Sequence, residues 1–157
     1  MADTLSPQAR SERMGRIRGK DSEAELFVRG LVHRLGFRFR LHRRDLPGCP
    51  DLVFPRLKRV ILVHGCFWHR HPSPDCRLAR LPKSRLEFWT TKLEGNRARD
   101  LRNQAALAAA GWKALVVWEC ELGQTERVAE SIRGFLTGCD RSNCSPTPAA
   151  PGSRRSR

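Results

Sequence analysis

The 157-residue sequence contains no apolar run that approaches the length of about eighteen residues required for a membrane-spanning helix. Its N-terminal segment, MADTLSPQARSERMGRIRGK, is basic but lacks the apolar core of a signal peptide. No internal repeat is present. We therefore expect a single domain in the cytoplasm with no membrane partner, where cysteines bind metals more often than they form disulfides.

Acidic side chains are also scarce in this sequence. The chain has 16 Asp and Glu residues against 30 Lys and Arg residues, which gives a formal net charge of +14. A compact domain this basic attracts polyanions, of which nucleic acid is the commonest. The charge alone does not distinguish a nucleic-acid enzyme from a binding protein, or either of them from a protein with a merely basic surface.

The two ends of the chain differ in composition from its middle. Residues 1–20 carry five basic side chains around Met14 and Ile17, which predicts an arm that is disordered alone and orders on a phosphate backbone. A terminus without function is the alternative. Residues 138–157 are rich in Ser, Pro and Arg, which is typical of a disordered tail. The folded domain is therefore predicted over residues 21–137.

Hydrophobic periodicity in the middle of the chain predicts alternating helices and strands. A capping box at 22–25 begins a helix that Gly36 ends. A second capping box at 84–87 begins a helix that runs to about residue 110, with a break at Gly95 left open. The other predicted elements are strands at 37–41, 51–54, 59–64 and 113–120 and a helix at 124–136. This α-β-β-β-α-β-α order predicts an α/β fold with a central mixed sheet flanked by helices.

The stretch HGCFWHRHPSPDC, residues 64–76, contains three of the five histidines and two of the six cysteines. Its C-x4-H-x4-C spacing, with a distant cysteine after the last strand, fits a tetrahedral zinc site with four protein ligands, and such closed sites are structural. Burial of two of these cysteines as small apolar side chains is the alternative. The candidate ligands are Cys66, His71, Cys76 and Cys120, whereas we interpret Cys49, Cys139 and Cys144 as incidental.

A carboxylate and two imidazoles occur beside this motif. Asp51 opens one predicted strand, His64 ends the next, and His69 follows in the loop. A carboxylate with a backbone carbonyl can hold Mg²⁺ for phosphodiester hydrolysis, and a nearby histidine can act as general base or acid. A turn residue and a core histidine are the alternatives for Asp51 and His64. Their occurrence together in one strand–loop unit of a basic protein favours metal-dependent hydrolysis.

Large aromatic residues occur in adjacent pairs. Phe67 and Trp68 lie in the same loop, and two neighbouring rings cannot both enter a core from a loop. We expect at least one of them to be exposed, where it can insert between base pairs as a wedge. Phe88 and Trp89 form a second pair, from which we expect one ring to pack in the core.

Several of these segments together identify a family. Five segments, spread from about Arg10 to Leu122, resemble the very short patch repair (Vsr) DNA mismatch endonucleases. They are RSERMGRIRGKDSEAE, LPGCPDLVF, HGCFWHRH, EFWTTKLEGNRARD and GWKALVVWECEL. The resemblance implies a restriction-endonuclease-like fold, a variant of the PD-(D/E)xK nucleases. It also implies nicking of the T-containing strand 5′ to T:G mismatches that arise when 5-methylcytosine deaminates, which initiates very short patch repair.

The resemblance implies roles for individual positions. Mg²⁺ would be bound by Asp51 and by the backbone carbonyl of Val63. His69 would activate water, His64 would contact the phosphate region, and Glu25 would support the site through a metal-bound water or His69. Zinc would be held by the three cysteines and the histidine given above. DNA would be contacted by the wedge aromatics, the arm and a polar helix face, namely Phe67, Trp68, Trp89, Met14, Ile17, Asn96 and Asp100.

Two other functions remain open from the sequence. A zinc-stabilised DNA-binding protein without catalysis would leave Glu25, Asp51, His64 and His69 without a shared task. A restriction-type nuclease on the same fold would not need the aromatic loop. We further expect a monomer that acts on mismatched double-stranded DNA at the bacterial nucleoid and is functionally coupled to a cytosine-5 DNA methyltransferase.

Overall fold

The fold is a four-stranded mixed sheet with helices on both faces. A computed structural model describes Gln8 and residues 20–138. The elements of residues 20–138 are α1 (Glu23–Arg34), β1 (Arg40–Leu41), β2 (Leu52–Phe54), β3 (Arg59–His64), α2 (Leu86–Ala109), β4 (Lys113–Trp118) and α3 (Thr125–Thr137). The strand order is β1-β2-β3-β4, antiparallel up to β3 and parallel between β3 and β4. The predicted α/β class and mixed sheet are confirmed.

The strand β3 lies at the centre of the sheet and is buried on both faces. Alternate side chains along each strand point to opposite faces. On one face, Ile61 and Val63 pack with α1 and α3 in the larger core. On the other face, Val60 packs with Val53 and with Leu107 of α2. Since side chains alternate, His64 lies on the α2 face of the sheet. The candidate functional site lies on the same face.

The start of α1 has the predicted N-cap at Ser22, but Glu25 accepts from the Asp21 amide in place of the Ser22 amide, so the predicted capping box is half formed. Ser22 is the N-cap, and its Oγ accepts a hydrogen bond from the Glu25 amide at 3.3 Å. The Glu25 carboxylate in turn accepts from Ser22 Oγ at 3.2 Å and from the Asp21 amide at 3.0 Å. The helix ends at Leu35, and Gly36 follows with φ +89°, a conformation in which glycine carries no Cβ penalty. One carboxylate therefore both caps the helix and faces the sheet.

The prediction of a strand at 37–41 was wrong in its extent. Only Arg40 and Leu41 pair with β2, and both are exposed. The Phe37 amide instead donates to the Val32 carbonyl of α1 at 3.2 Å, which commits the start of the segment to the end of the helix. Phe39 still packs on Phe54 with ring centroids 6.2 Å apart. The alternation of apolar and basic residues in this segment reflects half-burial of the aromatic rings. It does not require the whole segment to pair with a neighbouring strand.

The second predicted capping box was also wrong. The helix α2 begins after Arg85, which has φ +54° and makes no side-chain cap bond, so Ser84 and Glu87 do not form the reciprocal pair. The helix then continues through Gly95 to Ala109 without a break. No helix in residues 20–138 is both long and apolar enough to cross a membrane.

The last strand is less buried than predicted. Along β4 only Val117 is buried, because β4 is an edge strand and lacks a neighbour on its outer side. It also ends at Trp118, two residues earlier than predicted, and a 3-10 turn covers Glu119–Glu121. The parallel register pairs His64 with Trp118, so the ends of β3 and β4 lie side by side.

We expect Gly95→Ala to raise the free energy of unfolding by about 0.5–1 kcal/mol, because glycine inside a helix costs that much relative to alanine. A Cβ at Gly95 would meet no atom within 4 Å. Urea denaturation measures the change. The matched control is Gly111→Ala, which also has open space but sits at φ +81° and should lose about 1–2 kcal/mol. A loss of stability in Gly95→Ala would contradict the uninterrupted helix.

A candidate active site between the sheet and helix α2

A polar cleft of about 260 Å³ opens between the α2 face of the sheet and the start of α1. The face of α2 that borders it carries Asp100, Asn103 and Leu107, which follow one another at helical spacing. The other chemically relevant side chains of its wall are Lys20, Glu25, His42, Cys49, Asp51, His64 and His69. The cleft thus contains all four candidate catalytic residues, which come from four different segments of the chain.

Asp51 lies at the entrance to β2 and faces the C-terminal end of β3. Its Oδ2 accepts a hydrogen bond from the Val63 amide at 2.7 Å. Burial, together with the nearby Glu25 carboxylate, raises the pKa of Asp51 to about 6. The amide and carbonyl of one strand residue point to the same side of the strand. The Val63 carbonyl therefore faces the same edge as the Asp51 carboxylate, and these are the two groups that the family resemblance assigns to Mg²⁺.

The two catalytic histidine candidates stack on each other. The rings of His64 and His69 have centroids 4.0 Å apart and an interplanar angle of 8°. Burial and the adjacent His69 lower the pKa of His64, which keeps its ring neutral. His69 Nδ1 lies 2.6 Å from Asp100 Oδ2. Since a carboxylate only accepts, Nδ1 carries the proton, and Nε2 is the ring nitrogen left to act on another group.

Three cysteine thiols meet at the end of β3. The sulfur atoms of Cys66, Cys76 and Cys120 all lie within 4.8 Å of one another. The Cys120 amide donates to Cys66 Sγ at 3.4 Å. His71 lies beside the three-thiol group rather than in it, with Nε2 at 3.6 Å from Cys120 Sγ. The long loop between the first two cysteines therefore returns Cys76 to the cluster.

The donor set of this cluster fits a zinc ion. Burial raises the pKa of Cys66 to about 12 and also raises that of Cys120. Desolvation opposes ionisation of Cys76 as well, but the backbone amides of Leu78 and Ala79 lower its pKa on balance. Zinc is bound by thiolates, so its binding would displace the protons that these thiols carry. It would also require His71 Nδ1, which accepts from the Ser73 amide at 3.2 Å, to take up the proton when Nε2 coordinates.

Trp118 lies between a histidine of the cleft and the histidine beside the thiol cluster. Its ring makes edge contacts with His64, at 5.1 Å between centroids, and with His71, at 4.6 Å. The next residue, Glu119, accepts a hydrogen bond from the Cys66 amide at 3.3 Å. Neither residue has a role predicted from the sequence. The signal that marks them is their position immediately before Cys120 at the end of a strand.

The aromatic residues form one surface cluster at the start of α2. Phe67, Trp68 and Trp89 make edge contacts at centroid distances of 5.1–6.1 Å, and Phe88 joins them at 5.4 Å from Trp89. Lys92 Nζ lies 5.7–5.8 Å from three of these ring centroids. Neither ring of the second pair enters the core, contrary to expectation. Phe88 is 47% exposed, and the other three rings are half-buried against one another.

Two residues assigned to the DNA-facing side of α2 hold the loop in place. Asn96 Nδ2 donates to the Trp68 carbonyl at 3.1 Å, and Asp100 contacts His69 as described. Cys49, interpreted as incidental, lines the cleft. Gly48, with φ +73°, lies so close to Asn103 that a Cβ would approach its amide nitrogen to 2.9 Å. The predicted arm residues Met14 and Ile17 lie outside the described residues.

Comparison with known proteins gives consistent relatives. The family model "DNA mismatch endonuclease Vsr" matches residues 2–77. A "Type II nicking enzyme V.XorIIP" of Xanthomonas oryzae is 52% identical over 136 residues, covering 87% of this chain and 98% of the relative. The "DNA mismatch endonuclease Vsr" of Escherichia coli is 38% identical over 130 residues, covering 83% and 81%. A "Type II nicking enzyme V.NmeAIP" of Neisseria meningitidis is 38% identical over 122 residues, covering 78% and 85%.

Each alignment covers most of this chain and most of the relative. The match includes the segments that supply the carboxylates and the histidine loop. The chain belongs to the Vsr family of DNA mismatch endonucleases.

Proposed function

We propose that this protein nicks the T-containing strand 5′ to T:G mismatches produced by deamination of 5-methylcytosine, and so initiates very short patch repair. The observation that carries the proposal is the placement of a cluster of aromatic side chains next to a buried carboxylate–histidine cleft. The substrate is double-stranded DNA, in keeping with the net charge of +14. The fold would be a variant of the restriction-endonuclease-like PD-(D/E)xK architecture, whose mixed sheet the four strands match in kind.

The carboxylate chemistry of the cleft fits a divalent cation. Asp51 and Glu25 share the buried space, and the repulsion between them contributes to the raised pKa of Asp51, which a bound cation would relieve. Asp51 and the Val63 carbonyl would hold Mg²⁺, since both offer the hard oxygen atoms it prefers. Bound there, the ion would neutralise charge on the scissile phosphate and ease ionisation of the attacking water.

The histidines supply the proton chemistry. Asp100 keeps the proton of His69 on Nδ1, so Nε2 is oriented to accept a proton from water as general base. His64 stacks against His69, and its burial and its contact with Trp118 fix the orientation of both rings. A neutral His64 can donate one hydrogen bond to a phosphate oxygen without adding charge next to His69.

The aromatic cluster supplies selectivity for the mismatch. A T:G wobble pair stacks and pairs more weakly than a matched pair, so opening the helix beside it costs less. Phe67, Trp68 and Trp89 present ring edges and faces that can replace the lost base stacking. Because Asn96 holds the Trp68 carbonyl, the wedge enters at a fixed distance from the cleft.

The thiol cluster would bind zinc in a structural role. Cys66, Cys76, Cys120 and His71 are the ligands of a closed Cys3His site that leaves no position for substrate. Such a site would tie the proline-containing loop to the ends of β3 and β4. We further propose that the protein acts as a monomer at the bacterial nucleoid and is coupled to a cytosine-5 DNA methyltransferase, whose deaminated product it would repair.

The first test is a strand-specific nicking assay with Mg²⁺ on duplexes that differ only in T:G against C:G at a methylated-cytosine position. We expect a single nick 5′ to the T. Asp51→Asn should slow nicking by more than about a hundredfold while DNA binding persists, since metal-held charge stabilisation is worth several kcal/mol. The control is Asp45→Asn, an exposed carboxylate paired with Arg43 away from the cleft. Cleavage of both strands of matched DNA would contradict the proposal.

We expect Trp68→Ala to reduce binding of T:G duplex more than binding of matched duplex, by about tenfold or more. The reason is that base–aromatic stacking is worth about 1–3 kcal/mol and is used only where the helix opens. Fluorescence anisotropy on both duplexes at one salt concentration measures the difference. An equal loss on the two duplexes would show that Trp68 supports the loop and does not act as a wedge.

We expect Cys120→Ser to lower bound zinc from about one ion per chain toward zero and to lower the thermal midpoint. Each kcal/mol lost should shift that midpoint by about 2–4 °C in a chain of this size. Elemental analysis and thermal unfolding measure the two effects. Cys49→Ser, outside the thiol group, is the control and should retain zinc. Unchanged zinc content in Cys120→Ser would remove this residue from the site.

A further inference from the structure

Arg29, on the second turn of α1, places its guanidinium group among three polar residues. Nη1 donates to Asp21 Oδ1 at 2.6 Å, and Nη2 donates to Glu25 Oε2 at 3.1 Å. The same Nη2 lies 2.9 Å from His42 Nε2. The Arg29 side chain is only 13% exposed. One buried cation therefore joins the entrance of α1, the body of α1 and the segment after β1.

The three partners of Arg29 resemble a metal site in composition. One ligand atom from each of Asp21, Glu25 and His42 lies within 4.8 Å of the others. The guanidinium, however, contacts all three groups. The cation that this trio holds is therefore the arginine side chain, and a second metal ion at these atoms would have to displace it.

We propose that Arg29 is a positioning residue that fixes the Glu25 carboxylate, and with it the tautomer of His42, at the edge of the cleft. The inference rests on the nuclease function proposed above for this cleft. Nothing in the sequence pattern marks Arg29, because its partners lie eight residues before it, four before it and thirteen after it.

The Glu25 carboxylate is held by hydrogen bonds to both of its oxygen atoms. Its Oε1 accepts from Ser22 Oγ, and its Oε2 accepts from the Asp21 amide and from Arg29. Glu25 is 7% exposed and lines the same cleft as Asp51. Two buried carboxylates in one cleft repel each other, and a fixed cation on the far side of Glu25 opposes that repulsion. Arg29 thus holds the Glu25 carboxylate in place.

The contact with Arg29 also sets the orientation of the His42 ring. An arginine Nη atom can only donate, so His42 Nε2 must accept and Nδ1 must carry the proton. His42 also has φ +44°, a left-handed conformation that is strained for a non-glycine residue. Its ring lines the cleft. The contact with Arg29 therefore orients a side chain whose backbone is held in an unfavourable region.

The environment of the Arg29 side chain is not optimal for the stability of the fold. Within the described residues, the Arg29 Nε atom is buried and makes no hydrogen bond. A buried donor without a partner costs free energy, and buried ion pairs often contribute little to folding. An arginine placed here at that cost, with Nη2 on the Glu25 carboxylate and Nη1 on Asp21, indicates a role in positioning. A lysine would offer one point charge and could not contact the three groups in the same geometry.

The test compares Arg29→Met and Arg29→Lys with Arg34→Met, a matched control at an exposed arginine in the last turn of the same helix. The full-length protein is assayed for single-turnover nicking of T:G duplex across a Mg²⁺ titration. We expect Arg29→Met to nick about 10–100-fold more slowly or to need that much more Mg²⁺, because groups that orient metal ligands have effects of this size. Arg29→Lys should fall between, while Arg34→Met and DNA binding without metal should stay at wild-type levels.

A second measurement does not depend on nuclease activity. Side-chain ¹⁵N NMR of wild-type protein should show His42 with its proton on Nδ1, and Arg29→Met should lose that tautomer. Wild-type nicking and wild-type Mg²⁺ dependence in a folded Arg29→Met would overturn the proposal, as would a wild-type His42 protonated on Nε2. If wild-type protein nicks no mismatch, the proposed function fails. The His42 tautomer still decides whether Arg29 orients the His42 ring. If Arg29→Met does not fold, the lysine variant and the wild-type tautomer decide the outcome.

Discussion

The parallel pairing of β3 with β4 is the interaction on which both candidate sites depend. Its register places His64 beside Trp118, so that the two strands end together. From those ends the chain turns into the segments that carry Cys66 and Cys120, whose thiols meet although 54 residues separate them. A register shift of one residue would turn every side chain of one strand to the opposite face. The buried run Val60–His64 prevents that shift, because its two faces pack against different helices.

A second constraint is electrostatic and concerns the cleft itself. Hydrolysis of a phosphodiester requires acidic ligands in a partly dry site, yet drying such a site favours the protonated acids. Asp51 shows the cost in its raised pKa. The Glu25 carboxylate accepts hydrogen bonds from the donors of the helix cap and from the Arg29 guanidinium. These donors take the place of the water that would otherwise solvate it. The cleft therefore combines one carboxylate ready for a cation with one that already has a cation.

The sequence predicted those features whose causes are local. The N-cap at Ser22 and the buried strand β3 both follow from residue pattern. The start of α2 at Arg85 was missed because an arginine in the left-handed region has no sequence signature. The contacts of Arg29 and Asp100 were missed for another reason. Helical spacing gives the face on which a side chain lies, but the partner is chosen by the packing of distant segments.

The spacing of Asn96 and Asp100 links the wedge to the chemistry. These residues lie one helical turn apart on α2, and each holds a neighbouring residue of the same loop, through the Trp68 carbonyl and the His69 ring. The helix is continuous across both positions and acts as a rigid support. If Trp68 enters DNA as proposed, its displacement would strain the His69–Asp100 contact or be resisted by it. Since His64 stacks on His69, the geometry of the proposed base would be coupled to the position at which the aromatic cluster opens the DNA duplex.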